Sequence, residues 1–478
     1  MGAEALGASY RDPSGFVYTR DGTLYRQVNR VFGGHYQAFL DSGLCTELQE
    51  GRLLVPHRAA SLDLAASPDA VAVLEPERVD FISYPYEWSF GQLRDAALLT
   101  LELQERALAR GFTLRDASAY NVQFIGGSPL FIDTLSFEPR EAGAPWAGYR
   151  QFCEHFLVPL ALMSRVDVRL SALLRSHLEG VPLDLGSRLL PRSTWLRPGL
   201  LFHVHLHAVA QRRYADRGAG AAEPGGGGGG GGATSAAARR GVSPTAAVGL
   251  VRSLRNAIES LDWTPAGTEW ADYTEDNNYT TAAATSKREA VLDFLRGLDA
   301  RTAWDLGANT GEYSRAAREV VPSVIAFDLD PAAVERNYRR VKAENERGIL
   351  PLLLDLTNPS PALGWAHRER LSLQERGPAD VLLALAVVHH LAIGHNLPLE
   401  RVAGFLARLG RHLVIEFVPK SDSQVRRLLR DRPDIFPDYT QEGFEAAFRA
   451  HFRIERAVPV LDSERTLYLM TASPWHDT

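Results

Sequence analysis

The chain has 478 residues, too many for one compact domain and enough for two or three. Hydrophobic residues make up 45% and charged residues 23%, which excludes a wholly disordered or fibrous class. The longest apolar runs, 156–163 and 381–388, fall short of the roughly 18 to 20 residues that a membrane-spanning helix needs, so a soluble chain without a membrane partner is expected. A formal net charge of −6 supplies no global attraction to polyphosphate, and nucleic acid is not an expected partner. Cys45 and Cys153 have no CxxC spacing and cannot build a disulfide framework, and the start MGAEALGASYRDPSG lacks a basic end and an apolar core. Together these predict a cytoplasmic protein without a cysteine-based metal site.

In chain order, FVYTRDGTLYRQV reads as two extended runs around a turn at Asp21-Gly22. An amphipathic helix is predicted over Leu93–Arg110, ended by Gly111. A loop, a short apolar run at Pro129–Ile132 and a mostly helical region to about Tyr214 follow. Pro224 and the eight glycines Gly225 to Gly232 then read as a flexible tether, because glycine loses the most backbone entropy on ordering. The predicted division is an α+β domain over 1–215, a linker over 216–245 and a second domain over 246–478. Beyond the tether, short strands are predicted at Thr302–Leu306, Ser323–Asp328, Ile349–Leu354, Asp380–Leu385 and His412–Val418. Helical patterns at Glu312–Val321, Ala332–Glu346, Leu399–Leu409 and Ser423–Arg430 separate or follow them. Phe452–Leu461 and Thr466–Thr471 look like an antiparallel pair. This is the rhythm of an α/β, doubly wound sheet with an antiparallel edge.

Residues 304 to 314, WDLGANTGEYS, join a strand ending in Asp305 to a helix through Gly307 and Gly311, a turn that lets a ligand approach the main chain. It is neither a P-loop nor GxGxxG. Asp328 closes the next strand 23 residues after Asp305, where a carboxylate can accept both hydroxyls of a ribose. Asp355 closes the third and could receive a hydrogen bond from an adenine amino group. With DLGANTG, AFDLDP, LLLDLT and ADVLLALAVVHHL in this order, residues 265 to 472 resemble a class I S-adenosylmethionine-dependent methyltransferase. The resemblance implies a Rossmann-like, seven-stranded methyltransferase sheet. It also implies S-adenosylmethionine as cofactor, with Asp305, Gly307, Asn309 and Gly311 at its methionine part, Asp328 at the ribose and Asp355 at the adenine.

In-line alignment of the acceptor with the methyl should supply most of the catalysis. A hydroxyl acceptor would also need a proton removed, whereas an amine loses its proton afterwards. His389, His390 and Glu416 are the candidates for that proton. The adjacent histidines read equally as a helix cap or packed turn, and Glu416, in the apolar run IEFVP, must have a partner or a ligand. Trp270, Tyr273 and Tyr279 precede a helix at 287–295. Tyr279 is assigned to cofactor binding, with acceptor contact or interdomain packing as alternatives for these aromatics. The [DN]PPY signature of nucleobase methylation is absent.

LRDASAYNVQFIGGSPLFIDTLSFE, residues 114 to 138, places Asn121 five positions after Asp116 and Asp133 after a short strand. This segment resembles the catalytic core of the protein-kinase and aminoglycoside-phosphotransferase superfamily, in which such residues orient a hydroxyl and hold magnesium. It departs from the pattern in three ways. No lysine precedes Lys287, leaving only an arginine such as Arg26 to stand in; no GxGxxG loop precedes it; and Thr-Leu follows Asp133. His203, His205 and His207 would share one face of a strand, but on a helix only the first and last align, and they are not assigned as metal ligands.

The whole chain, with YPYEWSF at 84 to 90, RDASAYNVQF and FCEHFLVPLALM, resembles a bacterial family of two-domain methyltransferases, some labelled nodulation-related. The expected function is methyl transfer from S-adenosylmethionine to a small-molecule or carbohydrate-type hydroxyl or amine, with a kinase-like N-terminal domain that selects or positions the acceptor. Two alternatives are a bifunctional protein whose N-terminal half also binds ATP and magnesium and transfers phosphate, and a catalytically silent binding platform. No protein partner is indicated.

Overall fold

The computed structural model describes residues 3–211, 241–265, 281–430 and 433–473. The glycine run and Tyr279, Trp270 and Tyr273 lie outside them. The chain forms two compact units. Unit 1 comprises Met1–Val79, Ser83–Phe124 and Pro129–Thr264; unit 2 comprises Asp80–Ile82, Ile125–Ser128 and Pro265–Thr478. Among the described residues no helix is long and apolar enough to cross a membrane.

Unit 1 begins with strands β1 (Glu4–Ala5), β2 (Gly15–Arg20), β3 (Thr23–Asn29), β4 (His57–Ala60) and β5 (Ala70–Pro76), all antiparallel in the order β1-β2-β3-β5-β4. The β2–β3 hairpin turns at Asp21 and Gly22, whose φ values of 51° and 80° suit the right-handed twist of the flanking strands. Helix Phe90–Ala109 starts in a reciprocal cap between Ser89 and Gln92 and buries Leu93, Ala97, Leu101 and Gln104. The Gln104 side chain accepts the Leu114 amide at 2.7 Å, which ties the helix to β6 (Phe112–Leu114). Then come β7 (Val122–Ile125) paired with β8 (Ser128–Phe131), and β9 (Phe137–Pro139) paired antiparallel with β6.

The division between units falls at Pro265 rather than in the glycine run. Helix Pro244–Glu259, capped by Ser243, buries Val251, Leu254 and Ile258 in unit 1, and the Ser164 hydroxyl donates to the Asp262 carbonyl at 2.6 Å. A glycine tract reports where the backbone is unconstrained but not which core claims the amphipathic helix after it.

Unit 2 is built on β10 (Thr302–Leu306), β11 (Ser323–Asp328), β12 (Ile349–Leu353), β13 (Ala379–Ala384), β14 (Gly410–Phe417), β15 (Phe452–Pro459) and β16 (Thr466–Ala472). Their order is β12-β11-β10-β13-β14-β16-β15, parallel through β14, with β16 antiparallel to both β14 and β15. This is the doubly wound sheet with an antiparallel edge that the sequence predicts. Burial on both faces explains why its strands read as apolar runs. One face packs Ala303, Val324, Val381 and Val414 against Val291 and Phe294 of helix Thr281–Arg296. On another side of β10 and β11, Trp304 and Phe327 meet the Phe81 ring edge-on, at centroid distances of 5.5 and 5.9 Å.

A buried ionic cluster joins helix Thr281–Arg296 to β14 and the β15–β16 hairpin. Lys287 Nζ donates to Glu416 Oε2 at 2.7 Å, Arg465 Nη1 lies 3.6 Å from Glu416 Oε1, and Arg465 Nε donates to Asp422 at 2.8 Å. The Lys287 ammonium also sits 4.7 Å from the centre of the Tyr313 ring. Removing one member of such a cluster strands its partner in an apolar interior. Lys287→Met is therefore expected to cost about 3 kcal/mol in urea unfolding, and the double change Lys287→Met with Glu416→Leu should recover most of that loss. Equal stability of wild type and Lys287→Met would contradict this.

Candidate functional site

The parallel strands end on one edge of the unit 2 sheet, and the turn after β10 is shaped by three residues of positive φ: Gly307 (84°), Asn309 (49°) and Gly311 (85°). A Cβ on Gly307 would lie 2.6 Å from the Val387 side chain, so glycine lets the loops after β10 and β13 approach. Asp305 is buried and accepts the Ser314 hydroxyl at 2.6 Å, clamping the turn to helix Glu312–Arg318. Asp328, half-buried at the end of β11, accepts the amides of Asn309 at 2.7 Å and Asp330 at 2.8 Å. The sequence-predicted Asp305, Gly307, Asn309, Gly311 and Asp328 thus share one turn and its neighbouring strand end. Burial pushes both carboxyls up to about 6, opposed at Asp305 by the Ser314 hydrogen bond and at Asp328 by the backbone amides of Asp330, Asn309 and Leu329. Leu329, next in the chain, is 55% exposed, an apolar face beside the carboxylate.

Asp355 lies two residues beyond the end of β12 and is half-buried, accepting the Thr357 amide at 2.8 Å and its hydroxyl at 2.6 Å. After β13, Ala386 takes a φ of 55° and the chain enters a π-helical turn over His390–Gly394. His389 is fully buried, and neither ring nitrogen has a hydrogen-bond partner among the described residues. Its ring centre is 4.1 Å from that of His390. Burial lowers His389 well below its ordinary range, helped by His390, Arg465 and Lys287, and lowers His390 to about 4. Both imidazoles are neutral at neutral pH. Glu416 has the partner its apolar surroundings demanded: it is fully buried on Lys287 and Arg465, its charge already engaged in holding the fold.

In unit 1, Asp116 accepts the Ser118 amide at 2.9 Å, with the Asn121 and Gln151 side chains acting to lower its carboxyl. Burial, and then Asp133, raises its carboxyl above the ordinary range. Asp133 is ion-paired with Arg26 of β3 and accepts the Ser136 hydroxyl and the Leu135 amide. Among the described residues no three His, Cys, Asp or Glu side chains gather as a metal site. His203 and His205 lie on a π-helical turn, Leu201–Leu206, with His207 directly after it and stacked on Tyr149 at 5.2 Å, and all three have protein partners. His203 bonds Tyr149 at 2.9 Å and Ser253 at 2.8 Å, while His205 bonds Ser187 at 2.8 Å and Thr194 at 2.9 Å.

Sequence reasoning did not assign Ser314, Leu329, Arg465 or Lys287. Lys287 carried a usable signal: only three lysines, Lys287, Lys342 and Lys420, occur among 52 basic residues. A lysine kept in so arginine-rich a chain, on a helix facing an apolar core, needs a specific partner.

No protein-family model matches the chain. Among solved structures it is similar to N-methyltransferase NodS from Bradyrhizobium japonicum WM9, at 12% identity and a TM-score of 0.30, over 41% of this chain and 98% of that one. It is also similar to a SAM dependent methyltransferase from Aquifex aeolicus, at 17% identity and a TM-score of 0.30, over 42% and 98%. Nodulation protein NoeA of Rhizobium meliloti (strain 1021) is 37% identical over 477 residues, 98% of this chain and 96% of that protein. The chain belongs to the NoeA family of nodulation proteins.

Proposed function

We infer that unit 2 binds S-adenosylmethionine at the strand-end acids and transfers its methyl group to a small acceptor. The observation that carries this reading is Asp328. Its carboxylate is fixed by backbone amides at the end of its strand, and the residue is half-buried rather than closed off, beside the apolar surface of Leu329 and the glycine turn. Each carboxylate oxygen has two lone pairs, so with the Asn309, Asp330 and Leu329 amides on this carboxyl there is still acceptor capacity for a ribose hydroxyl. When bound, S-adenosylmethionine supplies a methyl made electrophilic by its positive sulfur. Asp328 would accept the ribose hydroxyls, Leu329 would cover the base, Asp355 would receive the adenine amino group, and Asp305, Gly307, Asn309 and Gly311 would frame the amino-acid end. Tyr279, outside the described residues, remains a proposed cover for the cofactor.

His390, neutral and partly accessible, is the group placed to take a proton from a hydroxyl acceptor, whereas His389 is fully buried against its ring and offers a substrate no surface; an amine acceptor needs no base before attack. Glu416 acts through the fold, as the anion that Lys287 and Arg465 share. We propose a carbohydrate-type hydroxyl or amine as the acceptor, on the resemblance of the whole chain to nodulation-related methyltransferases. Unit 1, which combines a five-stranded antiparallel sheet with the Asp116–Asn121 loop, serves as a kinase-like scaffold that positions the acceptor. Its residues do not fit magnesium: Asp133, which would have to hold the ion, is neutralised by Arg26.

Asp328→Ala should abolish S-adenosylmethionine binding in calorimetry while leaving the circular dichroism spectrum unchanged; undiminished affinity would refute the ribose assignment. Because the Asp305 and Asp328 carboxyls sit at about 6, they are ionised and accepting above that pH and protonated below it. Cofactor affinity should therefore be flat from pH 7 to 8 and fall about tenfold per required carboxylate by pH 5, where those carboxyls are mostly protonated. A pH-independent affinity would contradict this. The full chain should show no magnesium-dependent ATP binding, and an affinity that needs both magnesium and Asp133 would overturn the scaffold reading.

A further inference from the structure

The surface of unit 1 carries an apolar patch that the methyl-transfer reading does not use. Leu196 is 87% exposed and Phe202 59% exposed, with Leu189, Trp195 and Leu206 also turned to solvent. A single exposed leucine is ordinary, whereas a cluster containing an aromatic pair is not.

One buried residue brings these side chains together. His205, fully buried, hydrogen-bonds Ser187 of helix Leu183–Leu189 at 2.8 Å and Thr194 of the turn Arg192–Leu196 at 2.9 Å. The Trp195 ring stacks on its imidazole at 4.5 Å with an interplanar angle of 12°. Leu189 is two residues from Ser187, Leu196 is two from Thr194, and Leu206 is next to His205. Phe202 and Leu206 are four residues apart, one above the other on a helical face. The apolar side chains therefore converge on one hub from three chain segments.

Charge indicates the occupant. Arg192 and Arg197 flank Trp195 and Leu196, are exposed, and form no ion pair among the described residues. The chain as a whole carries −6, so this is a local reversal of sign. We propose that this face is a peripheral docking site for an anionic lipid surface, with Trp195, Leu196, Phe202 and Leu206 entering the interfacial layer and Arg192 and Arg197 meeting headgroup phosphates. Tryptophan with leucine and phenylalanine beside unpaired arginine is the chemistry of an interfacial anchor. A second copy is the poorer occupant, because a two-fold contact through this patch would bring the arginines of both copies together. This binding is separate from the spanning helix that composition excluded.

The test is cosedimentation of the full-length chain with vesicles of phosphatidylcholine alone and with phosphatidylglycerol added. The expected result is binding to the anionic vesicles that weakens as salt rises. Leu196→Glu with Phe202→Glu should bring it to background, and Arg192→Gln with Arg197→Gln should weaken it about 25-fold, from a factor of about five per arginine. All four side chains are exposed, so circular dichroism and S-adenosylmethionine binding should match wild type and separate this proposal from the cofactor site. No binding, or equal binding by the Leu196→Glu/Phe202→Glu variant, would overturn it. So would a dimer in sedimentation velocity that the same two substitutions dissociate, which would give the face to a second copy.

Discussion

The hydrogen bonds that Asp328 accepts from the backbone amides of Asn309 and Asp330 are the constraint on which the candidate site depends. They join the turn after β10 to the end of β11, and they fix a carboxylate whose burial alone would favour its neutral form. Parallel pairing makes this contact possible. With Leu306 opposite Phe327, the two strands finish side by side and their following loops open to the same edge. A ligand at that edge meets acids from successive strands at the crevice expected of an open α/β sheet.

Behind the edge lies a second layer of charge that serves the fold. Lys287, Glu416, Arg465 and Asp422 tie a helix that precedes the sheet in sequence to its fifth strand and its terminal hairpin. Burial, then His390, lowers the basicity of His389, and the two cations of the cluster add to that effect. Unit 2 thus holds acids of two kinds: Asp328 is held by neutral amides and left partly open, while Glu416 is closed by ion pairs. In unit 1, Asp133 follows the second pattern, with Arg26 as its counter-charge.

The sheet was legible because buried parallel strands are written as short apolar runs. The observed Thr302–Leu306 and Ser323–Asp328 match their predicted bounds, and the other strands shift by only one or two residues. The turn residues were legible because positive φ at 307 and 311 selects glycine. Helix Gln441–Arg449 and most of the first antiparallel sheet were not called, since half-exposed strands such as His57–Ala60 lack a clear alternation. Pairing across long sequence separations was also hidden. Nothing local to Glu416 announces Lys287, 129 residues away, and nothing in the glycine tract reveals that helix Pro244–Glu259 packs in unit 1. Sequence reports what each segment tolerates, and the partner of a buried charge is a property of the folded chain.

The most direct test of the central claim is a crystal structure of the full chain soaked with S-adenosylhomocysteine. The account predicts the ribose hydroxyls on the Asp328 carboxylate, the base against Leu329 and the amino-acid end over the Gly307–Gly311 turn. A ligand seated elsewhere, or a turn that stays empty at saturating concentration, would contradict it.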